Sequence, residues 1–188
     1  MKRLTLIFCL LFTVFTPVVF AHSSAEEAAT TEASTKDNLE NNAEYTLPYP
    51  GILPDNPLYP IKALRDRLVG FLISDPVRRA EFNILQADKR LQSGVSLIDK
   101  KNYKLAIDTI SKGENYLEEA FSKLNEAKKQ GGDIANLADK FKKSTRKHRE
   151  VITILAKKSP KDHSRDRDFS ILKKRIDEIN KKAEVFSL

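Results

Sequence analysis

From residue 61 onward, large apolar residues recur every three or four positions, and no run alternates by two. That period puts one apolar stripe on each of a series of helices and argues against strands. Ile61, Leu64, Leu68 and Phe71/Leu72 mark a first helix ending near residue 73. Ser74-Asp75-Pro76 closes it and opens the next, a capping residue followed by proline. Ala80, Ile84, Ala87, Leu91, Val95 and Ile98 form the second stripe, and Lys100-Lys101-Asn102 suits a short turn. Tyr103, Ala106, Ile107, Ile110, Leu117, Ala120, Phe121 and Leu124 form the third. Gly131-Gly132 ends that helix, and Asp133 can cap a fourth carrying Ile134, Leu137, Phe141, Thr145, His148, Ile152 and Leu155. Ser159 and Pro160 break the pattern before a fifth stripe of Phe169, Leu172, Ile176, Ile179, Ala183 and Phe186. The fold predicted is all-α, an antiparallel bundle of about five helices. Helices two to four each span about 25 residues, roughly 38 Å. The fifth follows a charged loop at 157–168, and two fates stay open: docking on the bundle, or pairing with a second copy as a short coiled coil.

Five of the eight prolines (Pro48, Pro50, Pro54, Pro57, Pro60) precede the first stripe. Pro48, Pro50 and Pro54 favour an extended path. Asp55-Asn56-Pro57 is a helix-start signal. Pro60 disfavours helical geometry at Tyr59, so an irregular first turn is expected, with regular helix from about Pro60. Leu47, Tyr49, Ile52 and Leu53 are too apolar for a solvated linker. The segment reads as an extended arm laid on the helices or as a proline-rich docking peptide. Its direct run into a helix favours the arm.

Upstream, Lys2 and Arg3 precede an apolar run from Leu4 to Phe20, and Val19-Phe20-Ala21 suits cleavage. That order is a secretory signal peptide, with an uncleaved anchor as the alternative. An exported, extracytoplasmic protein cut after Ala21 is expected. Cys9 would leave with the signal, so no disulfide would brace the remaining 167 residues. Residues 22–50 hold six acids and one lysine, with Leu39 the only large aliphatic between Ala21 and Tyr45. Such a segment buries too little to fold. The expected organisation is a signal peptide at 1–21, a disordered acidic spacer at 22–46, the arm and bundle at 47–160, and a basic helix at 161–188.

The ordered set Pro54, Asp55, Asn56, Pro57, Leu58, Tyr59, Lys62, Asp75, Pro76, Ala80, Glu81, Lys89 and Arg90 resembles the opening of a bacterial family of exported, helical domains of unknown function. That family opens on Pro-Asp-Ser-Pro-Leu-Tyr; Asn56 stands at the Ser position and remains a capping residue. The resemblance covers about residues 52–125 and leaves the C-terminal third outside. It implies the fold and export, and brings no activity and no catalytic residues. Pro54 to Tyr59, with Asp75 and Pro76, form the structural opening motif.

The chemistry legible in the chain is sparse. No nucleophile elbow, phosphate loop or zinc-ligand spacing occurs. His148 sits on an apolar stripe, where a packed, hydrogen-bonded role is expected. Asp162, Asp166 and Asp168 hint at a calcium loop, but its Gly and its twelfth-position Glu are missing and Arg165 and Arg167 intervene. Salt bridges within the segment are the expectation. No enzyme, no cofactor and no metal site is predicted. Residues 128–188 carry 18 basic and 9 acidic side chains. Lys140, Lys142, Lys143, Arg146, Lys147 and Arg149 crowd the fourth helix and form the candidate surface for an anionic partner. The expected role is a non-catalytic binding or scaffold module at the cell envelope. A structural accessory module self-associating through its C-terminal helix is one alternative, and an enzyme without a legible motif is the other. An unknown protein, an anionic envelope component, a membrane surface and a second copy stay open as partners; specific nucleic acid is not expected.

Overall fold

The helices form where local chemistry starts and stops them. A computed structural model describes residues 45–186, and the expected signal peptide and residues 22–44 of the expected spacer lie outside the described residues. Five helices follow: α1 (Tyr59–Leu72), α2 (Pro76–Asp99), α3 (Tyr103–Lys129), α4 (Ala135–Lys158) and α5 (His163–Ala183), the last running into a 3-10 turn at Glu184–Phe186. The Asp75 carboxyl accepts the Arg78 N–H at 2.8 Å and caps α2, with Pro76 in its first turn. Asp133 accepts from the Ala135 N–H at 3.1 Å and steers the chain into α4. At the end of α3, the N–H groups of Gly132 and Gly131 close on the carbonyls of Ala127 and Lys128, with Gly131 at φ +77°. That is a Schellman stop, and the left-handed residue is a glycine as expected. The same pair of bonds ends α2, from Asn102 to Leu97 and from Lys101 to Ile98, but there Lys101 holds the left-handed position at φ 62°.

Helices α2 to α5 form an all-α bundle of two hairpins. Consecutive helices run antiparallel, as their short connections require. Across the hairpins the neighbours run parallel. Lys140 pairs with Glu81 near the starts of α4 and α2, and Lys158 pairs with Asp99 near their ends. Likewise Arg165, in the first turn of α5, stacks over Tyr103 at the start of α3. Ala80, Ile84, Ala87 and Leu91 of α2, Ile110, Leu117 and Leu124 of α3, and Phe141 and Ile152 of α4 share one core. The fifth stripe joins it whole: Phe169, Leu172, Ile176, Ile179, Ala183 and Phe186 are all buried. Phe121, Phe141 and Phe186 close one end, with ring centroids 5.5 to 6.4 Å apart. α5 therefore docks on the bundle. It also begins earlier than its stripe suggested, because the apolar period is silent over His163–Asp168. There Arg165 supplies the order by pairing with Asp162 and covering Tyr103. The expected 157–168 loop shrinks to residues 159–162.

The arm is pinned along its length. The Tyr45 hydroxyl donates to Asp88, Leu47 packs on the core, and Pro50 is buried. Lys62 of α1 reaches back to the carbonyls of Pro50 and Ile52, at 2.7 and 3.0 Å. Asp55 pairs with Lys100 at 2.7 Å. The irregular first turn is present: Asn56 accepts from the Leu58 N–H at 2.9 Å, and its carbonyl accepts from Tyr59.

α2 and α3 approach closely at Gly94, where an added Cβ would fall 2.4 Å from Ile110 Cγ1. Gly94→Ala gains about 1 kcal/mol of helix propensity but overpacks a filled interior, at about 1–3 kcal/mol. A lower Tm by calorimetry is expected. Lys101→Gly removes a Cβ from a left-handed residue without touching the two closing bonds. It is expected to raise stability by about 1 kcal/mol or less, read as a higher urea midpoint with an unchanged slope.

Candidate functional site

α1 is amphipathic, but turned the opposite way from its stripe's prediction. Ile61, Leu64, Leu68, Phe71 and Leu72 were expected to face the bundle. Instead they face solvent, with Phe71 82%, Leu72 76% and Ile61 68% exposed. The side turned inward carries Asp66 and Gly70, both buried, with half-buried Tyr59, Lys62 and Ala63. At 3.6 residues per turn, the five apolar residues fan over roughly 100°. The reason for the reversal lies in the inward partners. Tyr59 accepts a hydrogen bond from Arg90 at 2.7 Å, and Lys62 is held by the arm carbonyls. A Cβ on Gly70 would meet Arg79 and Phe82 at 3.0 and 3.1 Å, so the backbone of α1 comes close to α2 there. Polar anchors and a bare backbone thus decide the orientation.

Two cavities flank this helix. One, of about 410 Å³, lies between α1, α2 and α3 and is lined by Arg67, Arg79, Arg90 and Lys112 with Asp66, Glu119 and Tyr116. Arg79 pairs with Glu119 at 2.8 Å, and Arg90 lies over the Tyr116 ring at 4.9 Å. The other, of about 460 Å³, lies between α1 and the arm. Tyr49, Pro50, Ile52, Leu58 and Ile61 form its apolar walls, and Lys62, Arg65 and Lys89 are its cations. Burial, chiefly, lowers the Lys62 pKa; the nearby Asp66 opposes that shift.

Two acids, Asp88 and Glu114, lie inside the bundle. Asp88, 2% exposed, meets Tyr45 from the arm, Ser144 Oγ at 2.6 Å and His148 Nε2 at 3.2 Å. Burial, then the Asp88 charge, pushes the Tyr45 phenol upward. Ser144 and His148 share an acid, yet the hydroxyl donates to the carboxyl rather than to the imidazole, and both side chains are fully buried. That is a structural network, and His148 has the packed, bonded place expected of it. Glu114 of α3 is fully buried, and Arg175 lies 3.9 Å away. Burial outweighs that arginine and pushes the Glu114 pKa to about 8. Arg175 itself forks onto Glu118, whose pKa falls as a result.

The lysines and arginines of α4 expected to form a cationic surface are largely paired with acids. Lys140 meets Glu81, Lys143 meets Asp139, Arg146 meets Glu184, Lys147 meets Glu150 and Arg149 meets Asp177. Lys142 is half-buried on the same helix. Asp162 and Asp168 pair with Arg165 and Arg167, the internal salt bridges expected there.

A family described as a domain of unknown function, DUF5667, matches residues 51–162. The chain belongs to this family. No curated protein and no solved structure matches it. The DUF5667 segment begins in the arm and ends at the threshold of α5, so it takes in α4, which the expected range of 52–125 left out. Within it, the opening motif is a fastening. Pro54 and Asp55-Asn56-Pro57 make the turn, Leu58 and Tyr59 launch α1, and Asp75-Pro76 launches α2. Tyr59, Lys62 and Arg90 of the same set bind α1 to the arm and bundle. The outward face of α1 was missed because a stripe shows that one face is apolar, not what it meets. The available signal was Asp66 and Gly70, four apart on the opposite face.

Glu114 carries a pH dependence. Its folded pKa of about 8 lies above the ordinary carboxyl value of 4.5. The folded state therefore holds a proton that the unfolded state releases, and stability falls as pH rises from about 4.5 to 8, by at most about 1.4 kcal/mol per pH unit. Glu114→Gln is expected to flatten that slope and to stabilise the protein most at pH 8, seen in urea midpoints across a pH series.

Proposed function

We propose that this DUF5667 protein is an exported, non-catalytic binding module of the bacterial cell envelope, and that it meets an anionic or protein partner through the outward face of α1 and the adjoining arm. One observation carries the reading: α1 keeps its large aliphatic and aromatic side chains in water while burying an aspartate and a glycine. Each such side chain forgoes roughly 1.5–3 kcal/mol of burial. A contiguous apolar face of this kind marks a contact surface. The lysines and arginines of α4 are a weaker claim to that role, since five of the six already hold acids. Exposed pairs of this sort are worth about 0–1 kcal/mol each and can exchange partners. Self-association through α5 loses support because the stripe it would use is buried within the chain.

Residues 22–188 retain all of the described structure, residues 45–186. Sedimentation of this chain with envelope fractions of the source cells separates the two surfaces. Leu64→Ser/Leu68→Ser/Phe71→Ser is expected to weaken binding about tenfold or more. Lys142→Glu/Lys143→Glu/Arg146→Glu/Lys147→Glu is expected to change it less than about threefold. Equal binding by the α1 variant and the parent would overturn the assignment.

A further inference from the structure

We infer that the occupant of the α1 face is an anionic phospholipid surface, an inference that rests on the binding role proposed above. The argument is the placement of charge around the apolar fan. On a helical wheel Arg67 lies just beyond Phe71 on one flank, and Arg65 lies just beyond Leu72 on the other. Each arginine opens onto one of the two cavities. Beside Arg67 stand Arg79, Arg90 and Lys112; beside Arg65 stand Lys62 and Lys89. The acids in reach are Asp66, which Arg65 holds at 2.7 Å, and Glu119, which Arg79 holds at 2.8 Å. No ion pair ties Arg67, Lys112 or Lys89 to an acid among the described residues. The surface is therefore an apolar ridge between two cationic troughs.

A bilayer interface has the matching profile. Leu64, Leu68, Phe71 and Leu72 would enter the acyl boundary, to a depth of about 5–10 Å. The arginines would extend sideways and upward to the phosphates, their stems covered by the ridge. Tyr49, 83% exposed on the arm, lies beside the second trough, where an amphipathic ring suits the headgroup level. A second copy fits worse. Two α1 faces brought together would set Arg65 and Arg67 against their own kind, and the one acid of α1, Asp66, is turned inward and already paired. α1 has 14 residues, and no described helix is long and apolar enough to cross a membrane, so contact would be along the surface.

The test uses residues 22–188, protein-free vesicles of pure phosphatidylglycerol or pure phosphatidylcholine, and a salt series. Sedimentation with phosphatidylglycerol at low salt is expected, at least about tenfold stronger than with phosphatidylcholine, and weakening as salt rises. Leu68→Ser/Phe71→Ser is expected to abolish it. Arg65→Glu/Arg67→Glu is expected to remove the preference for the anionic lipid. These side chains are exposed, and unchanged helical circular dichroism would verify that each variant folds. Absence of binding to phosphatidylglycerol at low salt, or binding that either variant leaves intact, overturns the inference. If α1-dependent binding to envelope fractions persists while vesicles fail, the partner is a protein and the binding role stands. If α1-dependent dimers form in sedimentation equilibrium while vesicles fail, the occupant is a second copy. If both preparations fail, the binding role falls with the lipid.

Discussion

The carboxyl of Asp88 joins three parts of the chain: α2, α4 and the arm. It sits on α2 and takes Ser144 and His148 from α4 and Tyr45 from the arm. Leaving a buried polar group without a hydrogen-bond partner costs about 1–3 kcal/mol, so each of the three partners of Asp88 helps fix its place. The stripes of α2 and α4 tell them to meet but leave their relative slide loose. Asp88 removes that freedom, since one carboxyl can face Ser144 and His148 together in only one register. The ion pairs at either end, Lys140 with Glu81 and Lys158 with Asp99, agree with it.

The position of the arm follows from the same acid. Tyr45 is fixed at Asp88, Leu47 lies on the core, and Lys62 and Lys100 hold the segment further along. The chain therefore reaches α1 on a set course, and α1 is laid down by polar fastenings instead of by its oils. Arg90 takes the Tyr59 hydroxyl, while Gly70 lets α1 rest close to Arg79 and Phe82. The hydrophobic effect would favour the opposite roll. That the fastenings prevail leaves a large apolar area of α1 in water.

Much of this architecture was legible. The four stripes from Ala80 to Phe186 predicted α2 to α5, and Asp75 and Gly131 act where their residue types place them, whereas Ile134 takes the cap of α4 expected of Asp133, which accepts from the Ala135 N–H from one position before it. Periodicity works there because each stripe has a partner stripe to bury it. It failed at α1, where the apolar face has no partner among the described residues, and at His163–Asp168, where charge pairing and an arginine–tyrosine stack hold a helix turn without apolar residues. Asp88 was invisible as a hub because its partners lie 43 to 60 positions away. The cations of α4 were visible, but their acids were not: Glu81, Asp177 and Glu184 come from other elements.

The placement of α5 bears on how the molecule comes into being. The family segment stops at residue 162, yet the core it would enclose stays open along α3 and α4 until Phe169, Leu172, Ile176, Ile179 and Phe186 arrive. Synthesised from its amino end, the chain has its α2–α3 hairpin early and its last wall late. A nascent form halted at the family boundary would present Phe121 and Phe141 bare of Phe186. Closure of this end of the core therefore needs residue 186.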